Sequence, residues 1–362
     1  MRTTPHRRPR VLHQPVTPDW QDLFMEETTL VTGGAGFIGS HFVKRLLRRE
    51  DVARVTVLDA LTYAGHIENL GEAFLSPKLA FVQGSILDAI LVDELVQRHT
   101  AVVHFAAESH VDRSFYEAGN FLAANVLGTH TLLDAAARFG VDKFVHVSTD
   151  EVYGPLETGA ATEDFPLRPT VPYAASKAAS DLVALSYFHT YGVPVCVTRS
   201  SNNYGPCQHP EKIIPLFVTN LLKSRPLTLH GDGRHVRNWL HVEDNCAGIE
   251  LVLRGGTPGE AYNIGGGTDL TNRELTGRIL TACGADWDAV TYVPDRRSND
   301  IRYAMDWSKI AHDLGYQPQR DFETGVAETV AWYHANPGRW APLLRTPAAP
   351  QSQSSITAPA GC

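Results

Sequence analysis

Tyr173 and Lys177 stand four residues apart in the run Tyr173-Ala174-Ala175-Ser176-Lys177. On a helix this spacing places both side chains on one face. A phenol beside an ammonium, with cofactor positive charge nearby, has its pKa lowered and can serve as base toward an alcohol. Taken alone, the pair is equally an aromatic packing inward and a lysine facing water. Upstream, the strand-like Phe144-Val145-His146-Val147-Ser148 leads into Thr149-Asp150-Glu151-Val152-Tyr153-Gly154. Adjacent carboxylates at the C-terminal end of a parallel strand lie where such sheets bind ligands. They act as acid and base when their surroundings push the two pKa values apart. By themselves they read as a solvated acidic turn.

A second constellation supplies a partner for this chemistry. In Leu30-Val31-Thr32-Gly33-Gly34-Ala35-Gly36-Phe37-Ile38-Gly39 a strand gives way to a helix, with glycines spaced G-x-x-G-x-x-G at Gly33, Gly36 and Gly39. A tight turn, close approach to a pyrophosphate and close helix–strand packing each require a missing side chain. The helix start, at Phe37 and Ile38, offers free N–H groups and a positive dipole end to the phosphates. Asp59, twenty residues past Gly39, ends the next strand at the offset of a ribose-binding acid. A carboxylate there bonds the 2′-hydroxyl and repels a 2′-phosphate, which favours NAD over NADP.

Positioning these groups requires strands alternating with helices. β-Branched runs at Thr28–Thr32, Val52–Leu58, Leu79–Gln83, Ala101–Phe105, Phe144–Ser148 and Val193–Thr198 alternate with helical spacing over Ser40–Arg49, Ile90–Arg98, Asn125–Phe139 and Ala174–Tyr191. This is the pattern of βαβ units, an α/β fold with a Rossmann-type, doubly wound parallel sheet. Gly140 and Gly192 follow two of the helices, where a left-handed residue commonly ends one. Beyond Tyr204, Gly and Pro become frequent and strands shorten, at Leu227–His230, Ala261–Ile264 and Val290–Val293. The expected organisation is an N-terminal extension over 1–27 and an NAD-binding domain over 28–203. A smaller α/β lobe over 204–345 mainly holds substrate, with some segments returning to the first domain, and a tail spans 346–362.

With these motifs in view, the chain resembles the dTDP-glucose 4,6-dehydratases, within the extended short-chain dehydrogenase/reductase superfamily. The resemblance runs from about Leu30 to Tyr333. It rests on the glycine run, Ala106-Ala107-Glu108-Ser109-His110-Val111-Asp112-Arg113-Ser114, the Ser148–Gly154 segment, Tyr173 with Lys177, Ser201-Asn202-Asn203-Tyr204-Gly205-Pro206 and Pro210-Glu211-Lys212. Further matches are Gly231-Asp232-Gly233, Val236-Arg237-Asn238-Trp239-Leu240 and Tyr262-Asn263-Ile264-Gly265.

The resemblance implies that Tyr173 takes the sugar O4 proton while C4 gives hydride to NAD, with Lys177 holding the ribose and tuning Tyr173. Thr149 and Ser109 bond the O4 region, Glu151 takes the C5 proton and Asp150 protonates the departing C6 hydroxyl. Hydride then returns to C6, and the cofactor stays bound through the cycle. Implied contacts to NAD are Gly33, Gly36, Phe37, Ile38, Gly39, Asp59, Ser85, Ile86, Ala106, Ala107, Ser109, Tyr173, Lys177 and Asn203. Asn202, Lys212, Arg237, Asn263, Arg296 and Asn299 are implied for the nucleotide and its diphosphate. The family also implies a homodimer through a four-helix interface, here Asn125–Phe139 with Ala174–Tyr191.

The chain departs from the family pattern at several points. Ser85 stands where Asp is usual, Ala60 where Lys is common and Ala124 where Thr is common. Asn299 replaces a His, and Cys207 and His209 replace aromatic residues, from which altered nucleotide or sugar tolerance is expected. Rivals on the same fold are a 4-epimerase, a decarboxylase or a UDP-glucose dehydratase, and of another class a silent NAD-binding paralogue. The Asp150-Glu151 pair favours dehydration, since an epimerase loses no water.

Bulk properties are compatible with this reading. The 362-residue chain is 43% hydrophobic and 20% charged, ordinary for a soluble globular protein. A net charge of -8 argues against a nucleic-acid binder. Five scattered cysteines without a Cys-x-x-Cys pair suit reduced thiols in a cytoplasmic setting. No apolar run reaches membrane-spanning length, and the basic Met1–Asp19 stretch lacks the apolar core of a secretory signal. Among 16 histidines no spacing suggests a metal site, and His110, His146 and His241 read as structural.

Overall fold

The computed structural model describes residues 27–295 and 300–345. The expected extension before Glu27, the tail from Thr346, and Arg296 and Asn299 lie outside the described residues. Six strands arrive in chain order: β1 (Glu27–Thr32), β2 (Val52–Asp59), β3 (Leu79–Gln83), β4 (Ala101–His104), β5 (Lys143–Thr149) and β6 (Val195–Ser200). Then follow β7 (Asn202–Tyr204), β8 (Leu227–His230), β9 (Val236–His241), β10 (Ala261–Ile264), β11 (Thr268–Thr271) and β12 (Val290–Val293). The main sheet runs β3-β2-β1-β4-β5-β6-β10, and every neighbouring pair is parallel. Winding proceeds outward from β1 to β3, then reverses through β4, which makes the β1–β4 boundary the switch point where such sheets take ligands.

The strands are apolar along both faces because helices cover both. On one side the Phe37–Leu47 and Val242–Gly255 helices set Phe42, Val43, Leu46, Ile249 and Val252 against Val31, Val57 and Val145. On the other, Ala89–Val96, Gly128–Phe139 and Pro172–Tyr191 bring Val92, Leu132 and Ala184 against Leu30, Val102, Phe144 and Val197. The last helix begins two residues before its expected start because Pro172 takes the first turn, where its missing N–H costs nothing. Ahead of Gly128 the chain makes a π turn over Leu122–Leu127. Gly192 ends its helix in the left-handed region, whereas Gly140 has positive φ with extended ψ, which departs from the expected left-handed cap.

Ala261–Ile264 is one of the later segments that return to the first domain. Its span is as expected, and it pairs with β6 as the seventh strand of the main sheet. All four residues are buried, and its Gly-rich flanks carry no information about which sheet it enters. The Val242–Gly255 and Ser308–Leu314 helices also pack on the main sheet, while the remainder of the C-terminal half builds a separate core with Phe217, Leu275, Phe322, Tyr333 and Trp340 at its centre. There β7, β9 and β11 form a three-stranded sheet and β8 pairs with β12.

Candidate active site

The cleft begins at the glycine turn. Gly33 has φ +72°, and a Cβ there would lie 2.6 Å from the Ala106 nitrogen; one on Gly39 would lie 2.3 Å from the Gly33 oxygen. The turn therefore lets β1, β4 and the Phe37–Leu47 helix close on one another. Gly36 caps that helix without a side-chain hydrogen bond, leaving the first N–H groups facing the cleft for an anion. Asp59 at the end of β2 accepts from Ala35 N at 2.9 Å and Leu61 N at 2.8 Å. Burial raises its pKa, and those two N–H bonds oppose the rise.

From there a cleft of about 530 Å³ runs along the carboxyl ends of the strands, a size suited to a small-molecule ligand. Gly33, Gly36, Phe37, Ile38, Gly39, Asp59, Ser85, Ile86, Ala106, Ala107, Ser109, Asn203, Tyr173 and Lys177 all line it, as do Thr149, Glu151, Asn202 and Lys212. Buried oxygens of Ser148, Ser201, Asn202 and Asn203 lie in this lining without a partner among the described residues. Orphaned acceptors beside a glycine cradle and a strand-end carboxylate fit a dinucleotide with a polar second ligand. Lys212 Nζ donates to Ser109 O at 2.8 Å, tying two walls together.

The reactive end is built on β5. Thr149 ends the strand and caps the short turn Asp150–Tyr153, with Glu151 N donating to its Oγ1 at 3.3 Å. Its hydroxyl donates to Asp150 Oδ1 at 3.3 Å and is hydrogen-bonded to Tyr173. Contrary to the lowering expected from Lys177, burial drives the Tyr173 phenol above its ordinary pKa, and the Glu151 carboxylate adds to this. Lys177 is buried, donates from Nζ to Val147 O at 2.8 Å, and is pulled down to about 8 by that burial against the field of Asp181.

The two carboxylates have different surroundings. Asp150 is 3% exposed and lies behind the lining. Burial first and then the Glu151 charge push it up to about 7, against Arg237. Its Oδ2 has no partner among the described residues. Glu151 faces the cleft; burial raises it also, while Arg237 and Lys212 draw it down and Asp300 pushes it up. The two carboxylates thus stand in unlike fields, as a pair that divides acid and base roles requires.

Not every expected residue meets the cleft. Arg237 is outside its lining, stacked 4.5 Å over the Tyr303 ring, and reaches the carboxylates through its field. Asn263 is a correction: it is fully buried, accepts from Tyr153 Oη at 2.7 Å and donates to Ala161 O at 3.0 Å and Asp306 O at 2.8 Å. With both amide protons committed to backbone carbonyls, it braces the core instead of holding a nucleotide. Sequence reasoning passed over Tyr303, whose hydroxyl donates to Asp300 Oδ2 at 2.6 Å beside Glu151. It also gave no role to Glu108, Gln208 and Glu211, all in the lining. Glu211 accepts from Arg113 Nη2 at 3.3 Å. Among the described residues no group of three or more His, Cys, Asp or Glu gathers as metal ligands would.

A doubly wound parallel sheet, a glycine cradle at its switch point and a Tyr–Lys pair on the adjoining helix define the class of extended short-chain dehydrogenase/reductases. The family model described as GDP-mannose 4,6 dehydratase matches residues 30–329. The dTDP-glucose 4,6-dehydratase of Streptomyces antibioticus is 57% identical over 326 residues, covering 89% of this chain and 96% of that protein. The enzyme of the same description from Actinoplanes sp. is 55% identical, covering 86% and 99%. The crystal structure of the Streptomyces venezuelae dTDP-glucose 4,6-dehydratase, solved with NAD bound, superposes with a TM-score of 0.85 at 56% identity, covering 87% and 99%. This chain belongs to the dTDP-glucose 4,6-dehydratase family.

Proposed function

We propose that this chain converts dTDP-glucose to dTDP-4-keto-6-deoxyglucose on bound NAD, a hydro-lyase reaction with no net redox change. The observation that carries the reading is the Asp150–Glu151 pair, two carboxylates in unlike environments next to Tyr173 and Lys177. In the cleft NAD supplies the acceptor for the C4 hydrogen and the source of the hydrogen returned at C6. Gly33, Gly36, Phe37, Ile38 and Gly39 would hold its pyrophosphate, Asp59 its ribose, and Ser85, Ile86, Ala106, Ala107 and Asn203 its remaining length. Tyr173, bonded to Thr149 and next to the Lys177 ammonium, takes the O4 proton. The 4-ketone so formed acidifies C5. Glu151 removes that proton, and Asp150 hands its own to the C6 oxygen, which departs as water. Glu151 then returns a proton to C5 as C6 is reduced. Ser109, Asn202 and Lys212 would orient sugar and diphosphate, with Arg237 toward the nucleotide.

The test uses dTDP-glucose deuterated at C4, with the products read by mass spectrometry. Loss of one water with the label at C6 is the expected result. An unchanged mass, or label lost to solvent, overturns the reading. In this reading residues 28–203 mainly hold the cofactor, 204–345 mainly the sugar nucleotide, and the site lies in the cytoplasm, where the free thiols of Cys196, Cys207, Cys246 and Cys283 stay reduced.

The working unit in this proposal is a homodimer. Leu122, Leu127, Phe139, Leu182 and Tyr191 are exposed on or beside the Gly128–Phe139 and Pro172–Tyr191 helices, an apolar face that a second copy would cover by four-helix packing. Light scattering should return twice the 39.7 kDa chain mass. Introducing Leu182→Glu should return one chain mass, and a dimer unmoved by it would place the interface elsewhere.

A further inference from the structure

Beneath Lys177 lies a buried polar chain that the proposed dehydration does not use. Asp181, one turn further along the Pro172–Tyr191 helix, and His146 on β5 are both 0% exposed, and Arg199 on β6 is 3% exposed. Arg199 Nε donates to Asp181 Oδ2 at 2.9 Å, and His146 Nε2 lies 3.3 Å from Asp181 Oδ1. Ser180 gives its hydroxyl proton to Lys177 O at 2.8 Å, so it accepts from His146 Nε2 at 3.0 Å, which places the histidine proton on Nε2. Arg199 Nη1 also donates to the Tyr153 hydroxyl at 2.9 Å and to Glu163 O at 3.1 Å. Buried ion pairs contribute little to stability over apolar packing of the same volume. The function of this one is therefore read from the neighbour whose charge it governs, and that neighbour is Lys177.

We propose that Asp181 is a positioning residue, the counter-charge that keeps Lys177 an ammonium next to Tyr173, with Arg199 fixing its carboxylate in place. The inference deepens the proposed reaction and relies on it only for the rate measurement. The groups facing this pair come from four elements: His104 on β4, His146 on β5, Tyr153 in the turn after β5, and Arg199 on β6. Tyr173 shares their helix. Burial drives His146 to about 4, and the Lys177 charge adds to this. His104 falls well below its ordinary value for the same reasons, burial first, then His146 and Lys177. Both histidines are neutral at working pH and cannot balance the lysine. Burial opposes the charge of Asp181, yet the nearby His146 imidazole and the Arg199 and Lys177 charges hold it below the ordinary carboxylate range. Lys177 itself donates to a neutral carbonyl, so the anion that favours its charged form is one helical turn away.

The test reads Lys177 directly, by NMR titration of protein labelled at lysine Cε, with the signal assigned by its loss in Lys177→Met. In Asp181→Asn the Lys177 midpoint should fall by about 1–3 pH units, the usual effect of removing an adjacent opposite charge. The alkaline limb of the C4 oxidation step, read as nicotinamide reduction on adding dTDP-glucose, should fall with it. Asp181→Glu should restore both. Arg199→Gln, which releases Asp181 toward the lysine, should move the midpoint up. A uniform loss of rate at every pH with the Lys177 midpoint unmoved would make Asp181 merely structural and overturn the proposal. Should Asp181→Asn not fold, Arg199→Gln decides alone: an upward shift supports the proposal and an unmoved midpoint rejects it. The titration needs no substrate, so a failed dehydratase assay leaves it interpretable.

Discussion

Glu151→Gln should separate oxidation from water loss. Glutamine has nearly the same shape and remains within the fields of Arg237, Lys212 and Asp300, but it cannot take a proton. C4 oxidation by Tyr173 should proceed, because the phenol loses only a neighbouring negative charge that had been raising its pKa. Removal of the C5 proton should fall by about 10²–10⁴-fold, the usual contribution of a positioned base. The expected record is reduced nicotinamide persisting on the enzyme after dTDP-glucose is added, with no deuterium entering C5 from heavy water. Asp150→Asn should behave differently. There Glu151 still removes the C5 proton, so exchange at C5 continues while water loss falls by a similar factor. If both variants lost C5 exchange equally, the separate acid and base assignments would be wrong.

That contrast depends on geometry that only part of the sequence could announce. The main sheet was legible because its information is local: β-branched runs at regular spacing, with helical periodicity between them. The Tyr173–Lys177 pair and the glycine turn were legible for the same reason, since each is a short motif whose neighbours in sequence are its neighbours in space. Asn263 was misread because its partners, Tyr153 and Ala161, arrive from more than a hundred residues away, and nothing in Tyr262-Asn263-Ile264 reports them. The placement of β10 beside β6 is non-local in the same sense. So is the placing of Asp300 and Tyr303 beside Arg237 and Glu151: residues of ordinary type that arrive from distant parts of the chain. The split between the two carboxylates was anticipated as a requirement of the chemistry. Its direction, with Asp150 as the more enclosed group, depends on burial that adjacent sequence positions do not distinguish.

The direction of that split has a consequence for stability as well as rate. Asp150 is raised from the ordinary carboxylate value to about 7, by burial first and the Glu151 charge second. The folded protein therefore binds this proton more tightly than the unfolded chain does. The stability contributed by the protonated group is complete below the unfolded value and is lost as pH rises through about 7. Asparagine does not titrate and carries no charge to bury. Asp150→Asn should thus melt close to the wild type at pH near 4 and progressively above it as pH climbs to about 8, while its dehydration rate stays low throughout. In the wild type, water loss should decline as pH rises through the same region, because a deprotonated Asp150 cannot supply the departing hydroxyl with a proton. Melting curves by calorimetry across this range, run beside the rate profile, check both. A stability difference that did not vary with pH would mean that Asp150 is already ionised in the folded state. Its orphaned Oδ2, enclosed beside Glu151, could not then act as the acid, and the proton for the C6 oxygen would have to come from another group in the cleft. A difference that grows with pH would show that the buried acid is held at a stability cost in the form the elimination requires.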